Sequence, residues 1–369
     1  MAAPLTGGAP ASSGTGSLVA DVKRIAVLRA GALGDVVFTL PALDALRTAY
    51  PRAEIVLLGK HWLAQLMHKR PGPIDRVAVV PTARGVGAPP DAAEDERALD
   101  AFFAAMRAER FDIALQLHGG GRYSNPFVAR LGARVTAGLR ANDAMALDRT
   151  LPYVYHQNER LRQLEAVALV GAPIASLGPH LAVTASDVAE ADALVARTAS
   201  PLVVLHPGCT DPRRRWPAER FGELADALCA QGATVAINGI ADEDSVVRAL
   251  RASTTRDVID LCGRLSLGGL AGLMARAALV VSNDSGPLYL AEAVGAATVG
   301  IYWLTNLAIS GPLFVARHRY AVSTRIDCPR CGTRNLDTRC AHDDSFVADV
   351  PLDAVLAPAL ELLQPGAPS

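Results

Sequence analysis

Residues 279–290 contain the features of an anion-binding turn. The segment opens with an apolar run that predicts a buried strand, and a short polar turn follows it. Pro287 suits the first position of a helix, with Ser285 or Gly286 at the cap. The sequence therefore places a helix N-terminus, with free backbone N–H groups, directly after a strand, an arrangement suited to phosphate. This segment alone does not establish an anion site, because an ordinary strand–turn–helix unit of an α/β protein has the same pattern.

Residues 29–37 form a second candidate loop, which also follows an apolar run. Gly31 and Gly34 permit a tight turn and a close backbone approach, but their spacing is not that of a dinucleotide-binding fingerprint. Asp35 stands where the next helix should begin. Its carboxylate could cap that helix and complement the helix dipole, or it could act as a general base.

Residues 206–217 form a third loop, with three consecutive arginines before an amphipathic segment. A charge run is often a solvated face, but this one lies between a strand and a helix, where α/β proteins bind ligands. Thr210 adds a hydroxyl, and the planar fork of an arginine matches phosphate. Glu243 follows another strand of the same half. Its carboxylate could accept hydrogen bonds from ribose hydroxyls, or it could supply charge at a helix N-terminus.

The elements that must position these loops alternate between strand and helix along the chain. The apolar runs that predict strands are 24–28, 54–58, 77–80, 113–117, 201–205, 233–237, 258–261, 279–281 and 297–301. Segments with helical periodicity lie between them. This alternation predicts an α/β fold, with two Rossmann-like domains of parallel strands in tandem.

The expected division of the chain follows from this alternation and from local composition. Residues 1–20 are rich in Gly, Ala, Ser, Thr and Pro, which predicts a disordered tail. A first Rossmann-like domain should span 21–180, and a second should span 181–350. Residues 351–369 contain a last helix and tail, which could pack back on the first domain.

Bulk composition excludes several classes of protein. The chain has 369 residues, half of them hydrophobic, and a net charge of −1, so no basic field indicates nucleic-acid binding. Six cysteines are too few for a disulfide scaffold of this length. The N-terminal stretch lacks a signal-peptide pattern, and no apolar stretch reaches the roughly 18 residues of a membrane-spanning helix. We expect a cytoplasmic protein, with peripheral membrane contact left open.

Several motifs in the right order resemble glycosyltransferase family 9, the heptosyltransferase-like enzymes of bacterial lipopolysaccharide assembly. The matching pieces are residues 34–43, Pro207-Gly208 with residues 214–217, residues 282–287 and, more weakly, residues 118–122. The resemblance runs from about Lys23 to Leu363. It implies a GT-B fold, in which two Rossmann-like domains face each other across a cleft, with the acceptor on the N-terminal side and the donor on the C-terminal side.

The resemblance also implies roles for individual residues. Asp35 takes the role of catalytic base, and Gly34 and Arg122 lie on the acceptor side. The expected donor-binding residues, with Glu243 from the loop pattern, are Thr210, Arg214, Glu243, Asp284, Ser285, Gly286 and Pro287. The chain departs from the family at Phe38 and Tyr289, where many heptosyltransferases have histidine, and this leaves the donor sugar open.

The predicted function is an inverting glycosyltransferase that moves heptose or a related sugar. The donor is a nucleotide-diphosphate sugar, ADP-heptose if the resemblance extends that far, and the acceptor is a lipopolysaccharide core or another lipid-linked envelope saccharide. No cofactor is expected, because no Asp-x-Asp motif for a donor-bridging metal occurs at a strand end. We expect the protein to be a monomer. If it contacts a membrane, we expect that contact at the cytoplasmic face of the inner membrane. The alternatives are a nucleotide-sugar epimerase and a non-catalytic sugar-nucleotide or lipopolysaccharide binding protein.

Three cysteines and a histidine near the C-terminus have ligand types found in zinc sites. They are Cys328, Cys331, Cys340 and His342. The eight residues between Cys331 and Cys340 do not fit a common zinc finger. The sequence therefore leaves a structural zinc ion, a local disulfide and reduced thiols open, and no catalytic metal is expected.

Overall fold

The computed structural model describes residues 16–336 and 338–364, and it contains two six-stranded sheets. The strands of the first sheet are β1 (Arg24–Leu28), β2 (Glu54–Gly59), β3 (Arg76–Val79), β6 (Ile113–Gln116), β7 (Val135–Arg140) and β8 (Arg149–Pro152). The strands of the second are β9 (Leu202–His206), β10 (Thr234–Ile237), β11 (Ile259–Asp260), β12 (Leu279–Asn283), β13 (Ala297–Trp303) and β14 (His318–Ser323). A small ribbon pairs β4 (Ala83–Arg84) with β5 (Gly87–Ala88).

Helices connect the strands and cover both faces of each sheet. In the first half they are α1 (Leu33–Ala49), α2 (His61–Met67), α3 (Glu96–Ala108), α4 (Ser124–Ala129) and α5 (Glu159–Ala168). In the second half they are α6 (Ala185–Leu194), α7 (Ala218–Ala230), α8 (Asp244–Ser253), α9 (Leu267–Arg276), α10 (Gly286–Ala293), α11 (Leu304–Ser310) and α12 (Leu352–Leu363). Single 3₁₀ turns occur at Pro212–Arg214 and Ala241–Glu243.

Both sheets have the same strand order, and their pairings are parallel. The first runs β3-β2-β1-β6-β7-β8, and the second runs β11-β10-β9-β12-β13-β14. Numbered within each half, this is the 3-2-1-4-5-6 order of doubly wound folds, which bind ligands beyond the strand ends where the order reverses. The loops after β1 and β6, and those after β9 and β12, therefore line the two expected crevices. The predicted α/β class with two Rossmann-like halves is confirmed, whereas the division at residues 180 and 350 stays a prediction.

The two halves share one continuous hydrophobic core. Ile25 and Val27 of the first sheet belong to it, together with Val204 and Val280 of the second. The core fills the space between α1 and α5 on one side and α9 and α10 on the other. Because α1 lies between its own sheet and α10, it is apolar on nearly all faces, as a fully buried helix must be.

Specific contacts with the fold begin before residue 21, although the predicted disordered tail extends to residue 20. Residues 1–15 of the predicted tail lie outside the described residues. Gly16 donates a backbone hydrogen bond to the end of α5, and the N–H of Val19 donates to the Tyr50 hydroxyl at 3.0 Å. The last part of the predicted 1–20 tail is therefore held against the first half by specific hydrogen bonds.

The last helix packs on the second half. Val355, Ala359 and Leu362 of α12 share a core with α7 and the outer face of the second sheet. The alternative in which this helix packs back on the first domain is therefore wrong, because its apolar stripe is covered by the second half. Residues 365–369 of the predicted tail lie outside the described residues. Within the described part of the chain, the helices are too short or too polar to cross a bilayer.

Two buried ion pairs link the halves in addition to the shared core. Arg160 of α5 donates to Glu292 of α10 at 2.6 Å, and the side chains are only 1% and 7% exposed. Arg70 binds Asp187 of α6 at 2.6 Å. Burial opposes ionisation of Asp187, but its hydrogen bonds with Arg70 and Thr184 prevail and lower its pKa. Because an unpaired buried charge is costly, these pairs hold the two halves in one relative position.

Glu292→Ala should destabilise the protein by about 3–5 kcal/mol, because it leaves the buried Arg160 guanidinium without its partner. Glu223→Ala is the matched control, since the Arg220–Glu223 pair is 44% and 47% exposed. It should cost less than about 1 kcal/mol. Urea unfolding followed by tryptophan fluorescence compares the two variants. Equal losses of unfolding free energy in the two variants would contradict a stabilising role of the Arg160–Glu292 pair.

Candidate active site

The N-termini of α1 and α10 meet at a pair of glycines. A Cβ atom on Gly34 would lie 2.9 Å from the ring of Tyr289, and one on Gly286 would lie 2.9 Å from Leu33. Only glycine allows the two helix ends to approach this closely. The Gly-Asp loop of one half and the Ser-Gly loop of the other, which the sequence picked out separately, are thus brought to one place. Both helices direct the positive ends of their dipoles towards this junction.

Asp35 uses its two carboxylate oxygens differently. One accepts the backbone N–H of Ala32 at 2.7 Å, and the other accepts from Arg29 at 3.0 Å. The side chain remains 43% exposed. The capping role considered from sequence is therefore present, and the carboxylate is also open to a substrate.

Arg29 and Glu159 support Asp35, and sequence reasoning missed both. Arg29 is buried, and the same Nη2 that reaches Asp35 also donates to Glu159 at 2.8 Å. Its Nη1 donates to the backbone carbonyl of Leu117, at the end of β6. Arg29 and Glu159 are separated by 130 positions, so no local pattern could have linked them.

His118, the first residue of the weaker match at residues 118–122, is a third residue at this crevice, and the sequence analysis gave it no role of its own. It follows β6, and its Nδ1 is buried without a hydrogen-bond partner among residues 16–336 and 338–364. Burial first, and then the charge of Arg29, lower the pKa of His118 to about 4. The nearby Asp35 carboxylate acts in the opposite direction but does not prevail. At neutral pH the imidazole is therefore uncharged beside the Asp35–Arg29 pair.

Arg214 lies beside the start of α10. Its Nη1 donates to the Asp284 carboxylate at 2.7 Å and to the Asp284 carbonyl at 3.2 Å. Burial acts to lower the pKa of the guanidinium, but the charge and hydrogen bond of Asp284, with neighbouring groups, raise it above its ordinary value. The side chain is 24% exposed, and within the described part of the chain only its Nη1 has a hydrogen-bond partner. The remaining guanidinium N–H groups are therefore available to an anion.

The two neighbouring arginines are engaged elsewhere. Arg213 pairs with Asp211 at 2.6 Å, and Arg215 donates to the carbonyl of Cys209 at 2.7 Å. Of the three arginines in the loop, Arg214 is the one that the structure places against Asp284.

Asp284 is buried and held by three donors. Besides Arg214, the Tyr289 hydroxyl donates to its carboxylate, and the Ser310 hydroxyl donates at 3.2 Å. Burial, and then the Asp284 charge, raise the pKa of Tyr289 well above its usual value, so the phenol keeps its proton. The ring of Tyr289 packs on Phe38 with centroids 4.4 Å apart. The two positions at which the chain departs from the heptosyltransferase pattern are thus in contact with each other.

Asn283 ties the arginine loop to the turn after β12. Its amide oxygen accepts the backbone N–H of Trp216 at 2.9 Å, and its amide nitrogen donates to the carbonyl of Pro207 at 2.7 Å. The Trp216 indole is buried and donates to Val350 at 2.9 Å. These bonds hold the Trp-Pro and Ser-Asn-Asp motifs against each other.

The remaining predicted donor residues occupy different positions around these loops. Ser285 caps α10, with its hydroxyl 3.2 Å from that of Ser282, and Pro287 lies in the first turn of the helix. Thr210 is exposed in the arginine loop. Glu243 is buried and accepts the N–H of Ile240 at 3.0 Å.

Glu243 also lies behind the Pro-Gly turn of the arginine loop. A Cβ on Gly208 would be only 2.0 Å from its carboxylate, so the two groups are packed together. On the first half, Arg122 is 68% exposed and lies 3.6 Å from Asp143. The roles predicted for Glu243 and Arg122 stay predictions.

A cavity of about 360 Å³ adjoins Arg214 between the two halves. Tyr155 of the first half contributes to its lining, together with Asp211 and Arg213 of the arginine loop, Asn306 of α11, and Asn335 of the cysteine-containing segment. The cavity therefore adjoins the arginine loop and is large enough for part of a small ligand.

Comparison with known proteins identifies the family. The model of glycosyltransferase family 9 (heptosyltransferase) matches residues 99–333. The chain belongs to glycosyltransferase family 9. The predicted enzyme class, a glycosyltransferase, is thereby confirmed.

Relatives and a solved structure agree with this assignment along most of the chain. This glycosyltransferase is 24% identical over 299 residues to lipooligosaccharide heptosyltransferase 2 of Haemophilus influenzae, covering 76% of this chain and 83% of that protein. It is 25% identical over 339 residues to lipopolysaccharide heptosyltransferase 1 of Pseudomonas aeruginosa, covering 89% and 91%. The ADP-heptose lipopolysaccharide heptosyltransferase II of E. coli superimposes with a TM-score of 0.72 at 18% identity, over 92% of this chain and 98% of that chain. The predicted GT-B fold is confirmed.

His118→Gln should make the glycosyltransferase less sensitive to acid. The unfolded chain takes up a proton at His118 near pH 6.5, whereas the folded protein does so only near pH 4, so stability falls as the pH drops through this window. The measurement is the urea midpoint at about pH 7 and about pH 5, compared with wild type. His68→Gln, at an exposed position, is the control and should retain the wild-type difference. If the urea midpoint of the His118 variant changed with pH as that of the wild type does, the lowered pKa of His118 would be contradicted.

Proposed function

We propose that this glycosyltransferase transfers heptose or a related sugar, with inversion, from a nucleotide-diphosphate donor to a lipopolysaccharide core or similar lipid-linked saccharide. The observation that carries the proposal is the junction of α1 and α10. There, the open carboxylate of Asp35, next to Gly34, and the N-terminus of α10, preceded by the Asp284 that binds the partly free Arg214, approach each other from the two halves. The names of the relatives support heptose as the sugar, and that of the E. coli structure supports ADP-heptose as the donor. A membrane-bound acceptor would place the enzyme at the cytoplasmic face of the inner membrane.

Asp35 is the proposed general base. It takes the proton from an acceptor hydroxyl as the hydroxyl oxygen bonds to the anomeric carbon and the bond from that carbon to the diphosphate oxygen breaks. A single displacement of this kind inverts the anomeric centre. The hydrogen bonds from Ala32 and Arg29 hold the carboxylate in one orientation, and Glu159 holds Arg29 from the other side.

The leaving diphosphate gains negative charge as the bond breaks. The N–H groups at the start of α10, at Ser285 and Gly286, and the free N–H groups of Arg214 are the proposed donors to it. Their orientation is set before the donor arrives, because Asp284 holds Arg214 and is itself held by Tyr289 and Ser310. Thr210 and Glu243 are proposed to contact the rest of the donor, and Arg122 is proposed to face the acceptor. No metal is proposed for the transfer step.

The direct test is incubation with a panel of nucleotide-diphosphate sugars, with and without a lipopolysaccharide-core acceptor. We expect release of nucleoside diphosphate and a heavier acceptor only when both substrates are present. Conversion of the donor without acceptor would indicate an epimerase. Binding of donor without transfer to any acceptor would indicate a binding protein. Either result would overturn the proposal.

Asp35→Asn should reduce turnover by roughly 10²–10⁴-fold while donor binding stays near normal, because asparagine keeps the size of the side chain but cannot take the proton. Turnover is measured as acceptor-dependent release of nucleoside diphosphate, and donor binding by calorimetry. Asp44→Asn, on the same helix, is the control and should retain activity. Near-normal turnover of the Asp35 variant would remove this residue from the base role.

Arg214→Ala should weaken donor binding by about 10–150-fold, the range expected from loss of a charge-assisted hydrogen bond of about 1.5–3 kcal/mol. Arg214→Lys keeps the charge but loses the planar fork, so it should bind donor with an intermediate Kd. Arg220→Ala, in an exposed pair on α7, should bind as wild type does. Unchanged affinity in Arg214→Ala would place this arginine outside the phosphate site.

A further inference from the structure

The segment between β14 and α12 lacks a regular element of its own among its described residues. It runs from the end of β14 at Ser323 to the start of α12 at Leu352, and its described residues form an isolated bridge and turns. Long irregular segments inside a compact fold need some other constraint to hold one conformation. Here three cysteines and a histidine converge, and the sequence had left their role open.

The four side chains form a compact cluster. The thiols of Cys328, Cys331 and Cys340 and a ring nitrogen of His342 all lie within 4.8 Å of one another. The Cys328 sulfur is 3.7 Å from His342 Nδ1. A tetrahedral zinc ion with ordinary Zn–S and Zn–N bonds sets its ligand atoms about 3.5–3.8 Å apart, so a small contraction would close this cluster around a metal.

The backbone shapes the first half of the cluster as a tight turn. Gly332, directly after Cys331, has φ +70°, which favours glycine. Its N–H donates to the Cys328 carbonyl at 2.9 Å, and the Cys328 N–H donates to the Thr333 carbonyl at 2.9 Å. The turn thus reverses the chain and presents both thiols to one point, which a Cys-x-x-Cys pair needs in order to share a metal.

Further polar groups surround the sulfur atoms. Asn335 is buried, its amide nitrogen lies 3.5 Å from the Cys340 sulfur, and its amide oxygen accepts the Cys340 N–H at 3.2 Å. The Thr333 hydroxyl is 3.3 Å from the Cys331 sulfur and could donate to a thiolate. Partners of this kind orient metal-bound ligands.

We propose that Cys328, Cys331, Cys340 and His342 bind one zinc ion, which holds this segment against the arginine loop. Three thiolates and one imidazole complete a four-coordinate site with no open position, so the zinc is structural and takes no part in the transfer. On binding, each thiol that was protonated releases its proton to solvent.

The consequence for the rest of the molecule follows from where the segment lies. Phe346 donates its N–H to the Arg213 carbonyl at 2.8 Å, and the Ser345 hydroxyl donates to the Arg215 carbonyl at 2.6 Å. Asn335 lines the cavity beside Arg214. The zinc therefore fixes one wall of that cavity. The effect on donor binding rests on the proposed function, whereas zinc binding itself does not.

The test is metal analysis of the full chain, purified under reducing conditions without chelator. We expect one zinc ion per chain in the wild type and close to none in Cys331→Ser. Because Cys331 is exposed, this substitution should remove a zinc ligand without unfolding the protein. Cys229→Ser and Cys262→Ser, outside the cluster, should retain one zinc. Reconstitution with cobalt(II) should give the visible bands of a tetrahedral thiolate site in the wild type and in both controls, but not in Cys331→Ser.

Three results would overturn the proposal. They are wild-type protein without bound metal, stoichiometric iron in place of zinc, and, for protein purified without reductant, an intact mass lower by two hydrogens, which would reveal a disulfide instead. These measurements need no substrate, so they stand even if the proposed function fails. With the function established, Cys331→Ser should also show a higher Kd for nucleoside diphosphate than Cys229→Ser does. Equal Kd values in the two variants would contradict the proposal that the zinc ion positions the cavity wall.

Discussion

The contact between the N-termini of α1 and α10 is the constraint on which the rest of the site depends. The two helices, which follow β1 in the first sheet and β12 in the second, meet near their N-termini, and glycines at the contact remove the side chains that would hold them apart. Both helix ends carry partial positive charge and unpaired N–H groups. Concentrating such groups at one point is favourable only where negative charge is present. Asp35 supplies part of that charge, and the proposed diphosphate would supply the rest.

The charged side chains around the junction follow from the same requirement. A buried charge is tolerated when partners from other elements satisfy it. Arg29 is held between Asp35 and Glu159, and Asp284 is held by Arg214 and two hydroxyls. Each network leaves one group partly exposed. Asp35 is the open acceptor on one side and Arg214 is the open donor on the other, so each network leaves a group with the charge that its proposed role requires.

The shared core sets how far the two halves can move apart. The apolar face of α1 packs on that of α10, and the Arg160–Glu292 and Arg70–Asp187 pairs are buried across the same boundary. Opening the boundary would expose these groups and separate the glycine contact. The cavity next to Arg214 is lined by residues of the arginine loop, of α11 and of the cysteine-containing segment, with Tyr155 and His156 of the first half.

Local sequence patterns were sufficient to predict the α/β fold and the positions of the three main loops. Apolar runs, helical periodicity and turn residues depend on neighbouring positions, so they predicted two parallel sheets and the loops with Asp35, Arg214 and Asp284. Position at a strand end also predicted that these loops would line crevices, because parallel strands bring their carboxyl ends to one edge. The packing of α12 was not predictable in this way, since an amphipathic stripe does not specify which surface will cover it.

The sequence by itself determined which elements form and which loops carry reactive groups. Only the tertiary structure decided which arginine of three contacts Asp284, that Arg29 and Glu159 hold Asp35, and that Phe38 and Tyr289 pack together. It also decided that the four residues whose role the sequence left open, three cysteines and a histidine, place their ligand atoms within 4.8 Å of one another. The physical reason is the same in each case. These contacts join residues far apart in the chain or depend on side-chain direction, and both are set by packing between elements rather than by the identity of neighbours.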